Sequence, residues 1–125
     1  MMRGSAEKMY NRVGLYGEIE QANPHKLISM LYEGALKRIV MAKKELALKN
    51  VAEKGVLLGQ AMMIVANLKS SLNMEQGGDI SIHLTDLYDY IETLLLKANF
   101  NNDAEMLDEV MNLLLEIKGA WDQIA

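Results

Sequence analysis

Four stretches of this chain repeat apolar side chains at steps of three and four, and each is bounded by residues that start or stop helices. No other feature constrains the fold as much, because a helix turns once every 3.6 residues and gathers such positions on one face. The first stretch opens on Asn23-Pro24, a capping residue followed by a proline where the first turn tolerates one. It continues through Ile28, Leu31, Ala35, Ile39, Ala42 and Leu46 to about Lys49. The second follows Asn50, which has Glu53 three positions on as in a capping box, and runs through Leu57, Ala61, Ile64 or Val65, Leu68 and Leu72. Gly77-Gly78 interrupts the period. Asp79 can then cap a third helix bearing Ile80, Leu84, Leu87, Ile91, Leu94 and Ala98. Asn101-Asn102-Asp103 turns the chain, and Asn102 with Glu105 repeats the capping-box spacing ahead of Leu107, Val110, Leu114, Ile117, Trp121 and Ile124.

Long helices joined by short turns pack as antiparallel neighbours, and nothing in the chain alternates apolar and polar residues as a strand would. The expected fold is all-α: an antiparallel four-helix bundle over residues 23–125, preceded by an N-terminal apolar cap segment over residues 1–22. That first segment has glycines and no long helical period, yet Tyr10, Val13, Leu15, Tyr16 and Ile19 make it too apolar for a plain solvated tail. It reads as a piece that docks, either as a permanent strap or as a plug that yields to a partner.

Composition removes several function classes. With 125 residues the chain suits one domain, and with no cysteine it has no disulfide, thiolate metal site or cysteine nucleophile. The two histidines, His25 and His83, fall on different helices, and the Glu-x-x-His pairs of di-metal bundles do not occur. Asp86, Asp89 and Glu92 share one helix face but have nothing nearby in sequence to tune them, so they read as a solvated acidic face. No catalytic residue, metal or cofactor is expected. Net charge is −4, with the positive charge gathered between residues 23 and 49 and the negative charge after residue 79. An acidic chain is a poor match to nucleic acid, so the asymmetry reads first as basic and acidic helices attracting within the fold. No apolar run approaches the roughly 20 residues that span a bilayer, and charged residues follow the N-terminus where a signal segment would be apolar. The cytoplasm is the expected location, with no direct membrane insertion.

The functional clue is a surplus. A bundle helix needs roughly three apolar positions in seven to face its core, whereas each of these stretches is more than half apolar. Met62-Met63-Ile64-Val65-Ala66, Leu94-Leu95-Leu96 and Leu113-Leu114-Leu115 place consecutive apolar side chains about 100° apart, which wraps them around the helix. Some must cover a second surface, either scattered and semi-buried along the helix flanks or gathered into a groove or patch that accepts a partner's amphipathic helix. Ten methionines suit such a surface, since the flexible thioether adapts to varied apolar groups.

These residues resemble the FliS family of flagellin-specific export chaperones. The resemblance rests on Ala22-Asn23-Pro24-His25-Lys26-Leu27-Ile28, Leu31-Tyr32-Glu33-Gly34-Ala35-Leu36, Leu68-Lys69-Ser70-Ser71-Leu72, Gly77-Gly78-Asp79-Ile80, Leu84-Thr85-Asp86-Leu87-Tyr88-Asp89-Tyr90 and Ala120-Trp121. Their order and spacing, rather than any one piece, carry it. It implies a bundle with an N-terminal cap whose client is the disordered C-terminal region of flagellin, kept from polymerising early and presented to the cytoplasmic domain of the flagellar export gate. Under that reading Ile64, Leu68, Leu87, Leu94, Leu95 and Leu114 are the candidate client-binding groove, and Tyr10, Val13, Leu15 and Ile19 the candidate cap or export-gate contact. The alternative is a helical regulatory adaptor for another flagellar protein, such as an anti-sigma factor or export component.

Overall fold

A computed structural model of the chain describes residues 24–72 and 74–123. It contains four helices: α1 Pro24–Ala47, α2 Val51–Ser70, α3 Met74–Asn101 and α4 Ala104–Asp122. Each packs on the next, and α4 packs back on α1, closing a ring in which α1 faces α3 across the core. α1 and α2 form the most intimate pair, since Ala35, Ala42 and Ala61 keep the facing surfaces low. The core holds Ile39, Leu57, Leu58, Val65, Leu68, Ile91, Leu94, Leu95, Leu107, Val110 and Leu114, nearly all without solvent contact. α2 is long and apolar enough to cross a bilayer by composition. Here it lies between α1 and α3, with Leu57, Leu58, Ala61, Val65 and Leu68 turned inward.

The turns explain the short connections. Lys49, at φ 63°, sits just past α1 in the left-handed region. Its N–H reaches Leu46 O at 3.0 Å while Asn50 N reaches Glu45 O at 2.8 Å, the bonding of a Schellman motif. Asn102, at φ 52°, plays the same part after α3, with Asp103 N bonded to Ala98 O at 3.0 Å. Two capping expectations change as a result. Asn50 makes no side-chain cap bond, because it completes the α1 terminus and its side chain donates to Glu45 Oε1 at 2.8 Å. The cap of α4 is Asp103 rather than Asn102, and its carboxylate accepts from Glu105 N and Met106 N. The break expected at Gly77-Gly78 is present: Gly78, at φ 54° and ψ −128°, is non-helical and separates the short helical stretch that begins at Met74 from the rest of α3.

Polar groups inside the bundle are all matched. Among the described residues every buried side-chain nitrogen or oxygen has a hydrogen-bond partner. The hydroxyls of Tyr32 on α1 and Tyr88 on α3 bond to each other across the core. Lys54, 2% exposed, lays its Nζ against Asn99 O at 2.8 Å and Asn99 Oδ1 at 2.7 Å, supplying a donor near the end of α3.

Candidate docking surface

Among the described residues no group of acidic or histidine side chains could hold a metal ion. The polar clusters are instead occupied in holding helices together. Lys69 on α2 bridges Asp89 and Glu92 on α3, both at 2.7 Å, and these bonds hold its ammonium above the usual lysine range. Lys43 on α1 pairs with Asp108 on α4, and Lys118 on α4 pairs with Asp122 at 2.6 Å and Glu33 on α1 at 3.7 Å. The bond from Lys118, aided by one from Ser29, holds the Asp122 carboxyl below the usual carboxylate range. Of these pairs only Lys43–Asp108 joins the basic first helix to the acidic last one in the sense the charge asymmetry suggested, since Lys118–Glu33 runs the opposite way.

His25 and Trp121 fasten α1 to α4 at the same end. Their rings stack 4.8 Å apart, His25 Nε2 donates to Trp121 O at 2.6 Å, and Trp121 Nε1 donates to His25 O at 2.9 Å. The sequence places His25 on a different helix from His83 and says nothing more of its partners. A histidine in a first helical turn carries no sign of a partner 96 positions away, so this latch was not legible.

What remains available is apolar. Large hydrophobic side chains stand at the surface of every helix: Val40, Met41 and Leu48 near α1, Val51, Val56 and Met63 on α2, Ile82, Tyr90, Leu96 and Phe100 on α3, and Leu115 on α4. On α3, Leu96 and Phe100 lie about four and five turns beyond Ile82 and so form one outward line with it, Phe100 being 87% exposed. Between α1 and α2 runs a groove of about 420 Å³ lined by Leu27, Met30, Leu31, Glu33, Gly34, Lys37, Arg38 and Ile64. A second hollow of about 200 Å³, lined by Lys37, Arg38, Met41, Leu57 and Gln60, continues it along the same seam.

The six groove candidates from the sequence separate. Leu68, Leu94, Leu95 and Leu114 lie inside the core and present almost no surface. Ile64 and Leu87 are half-buried against the core, and Ile64 alone lines the α1–α2 groove. Tyr10, Val13, Leu15 and Ile19, with the whole 1–22 segment, lie outside the described residues.

A helical bundle with leftover apolar surface matches what comparison with known proteins finds. The family model described as "Flagellar protein FliS" matches residues 6–125. The chain belongs to the FliS family. It is 42% identical over 123 residues to the flagellar secretion chaperone FliS of Vibrio cholerae, covering 98% of this chain and 90% of that one. It is 40% identical to FliSB of Pseudomonas aeruginosa, over 96% and 95% of the two chains, and 41% identical to FliS of Salmonella typhimurium, over 100% and 93%. The family is one of flagellar secretion chaperones, not enzymes, and the FliS fold accordingly spends its buried polar groups on architecture.

Proposed function

We propose that this FliS-family chain works in the cytoplasm, binds the disordered C-terminal region of flagellin, prevents its premature polymerisation and delivers it to the cytoplasmic domain of the flagellar export gate. The observation that supports this most is the exposed apolar side chains spread over all four helices of a chaperone-family bundle. A tail ordered on binding costs about 1–2 kcal/mol per residue in backbone freedom. Fully burying a side chain such as Phe100, Leu96 or Ile82 contributes about 1.5–3 kcal/mol. Several such anchors, distributed over the surface, are therefore needed to hold an unfolded segment, and a client that wraps the bundle reaches them all. Ile64 and Leu87 join these anchors at the edge of the core, while Leu68, Leu94, Leu95 and Leu114 set the positions from which their neighbours point outward.

The test is co-elution. Full-length flagellin monomer mixed with this chain should form a one-to-one complex, and flagellin truncated at its C-terminus should elute alone. Equal complex formation by both flagellins, or by neither, would overturn the assignment.

A further inference from the structure

The exposed methionines of this bundle sit on one side of it. Among the described side chains, Met41 on α1 is 43% exposed and Met63 on α2 is 69% exposed, while Met62, Met106 and Met111 pack against the core. Met41 lines the smaller hollow of the α1–α2 seam with Leu57 and Gln60, and Met63 lies one turn beyond Gln60 on α2. Met63 also directly precedes Ile64, which lines the larger groove with Met30. Neither exposed thioether belongs to the core, so the bundle does not depend on their staying apolar. The surface does depend on it, because a thioether is a weak acceptor that apolar side chains can cover without loss.

Oxidation to the sulfoxide changes that balance. The sulfoxide is polar, and covering its oxygen with apolar side chains leaves a strong acceptor without a donor. With no cysteine in the chain, a peroxide meets no thiolate first, and the exposed thioethers are its most accessible sulfur. We propose that Met41 and Met63 form a reversible oxidation site through which hydroperoxides release the client without unfolding the chaperone. The thioether sulfur attacks the peroxide oxygen, the O–O bond breaks, and the displaced oxygen leaves with the proton as water or an alcohol. Sulfur thereby loses two electrons and gains one oxygen. A dithiol reductase returns the two electrons, becomes a disulfide, and releases that oxygen as water. The consequence for binding rests on the proposed function, since the client released is the one named there.

Treating the full chain with dilute hydrogen peroxide and mapping peptide masses should find Met41 and Met63 oxidised ahead of Met62, Met106 and Met111. In fluorescence titration with a labelled flagellin C-terminal peptide, the oxidised chain should bind more weakly by about fivefold or more. Its helical circular dichroism and melting should stay as before, and reductases for the two sulfoxide epimers should restore the affinity. Met41→Leu/Met63→Leu keeps the apolar surface without the sulfur, and should bind as the untreated wild type does both before and after peroxide. Met41→Gln/Met63→Gln, polar from the start, should bind as weakly as the oxidised chain. Full affinity after oxidation, equal loss in the leucine variant, or oxidation beginning at the half-buried methionines would overturn the inference and leave the flagellin reading standing. Failure of the untreated chain to bind the peptide or intact flagellin would overturn both.

Discussion

The Tyr32–Tyr88 pair shows how a single polar contact is tolerated in an apolar core. Burial, reinforced by the partner hydroxyl, pushes the Tyr32 phenol well above its ordinary range, and burial raises Tyr88 as well. Among the described residues each hydroxyl bonds only the other, so the cost of disturbing them is asymmetric. Tyr32→Phe should destabilise the protein by about 1–3 kcal/mol, because it leaves the Tyr88 hydroxyl buried without its partner. The double variant Tyr32→Phe/Tyr88→Phe should lose less than the sum of the two singles, since it removes both polar atoms. Denaturant melts of the four proteins check this, and strict additivity would show that the hydroxyls do not depend on each other. Neither tyrosine announced this in the sequence. Tyr32 and Tyr88 occupy ordinary core positions of amphipathic patterns 56 residues apart, and only packing α1 opposite α3 brings the two phenols together.

At the scale of the helices, the punctuation of the sequence did most of the work. Pro24 stands at the first position of α1, and the breaks near residues 50, 78 and 102 fall where the chain turns or kinks. What pattern could not supply was which polar residue caps which end. Asn50 and Asn102 were each pulled into closing the helix before them, a competition that spacing alone does not resolve. The glycines make the local physics measurable. Gly78 holds φ 54° and ψ −128°, and a Cβ there meets nothing within 4 Å, so Gly78→Ala is penalised through the backbone alone, by about 1–3 kcal/mol. Gly59 lies within α2 without a positive φ and has equally open space around its Cβ position. Gly59→Ala should therefore stabilise by about 0.4–1 kcal/mol through loss of unfolded-state freedom. Thermal melts that moved both variants in the same direction would contradict this assignment of the kink.

For the whole molecule, the excess of apolar residues was visible before the fold, but its location was not. Periodicity gives the angle between side chains, whereas the direction of the core depends on where three other helices lie. In Leu94-Leu95-Leu96 the first two are buried and Leu96 is 59% exposed. In Leu113-Leu114-Leu115 the middle residue is buried and Leu115 faces outward. The selection made from sequence thus fell mostly on core leucines, and their immediate neighbours hold the free surface. The charge asymmetry is matched between helices only in part, by Lys43 with Asp108, and Lys37 and Arg38 stand beside Glu33 at the rim of the α1–α2 groove.

The central claim is that this leftover surface is buried by a disordered client. Isothermal calorimetry of the chain with the flagellin C-terminal region, repeated across temperature, tests it most directly. Burial of apolar surface makes the binding enthalpy fall as temperature rises, a negative heat-capacity change, together with an entropy loss from ordering the tail. Saturable binding with that signature is the predicted result. Saturable binding whose enthalpy does not change with temperature, or no saturable binding, would contradict the account.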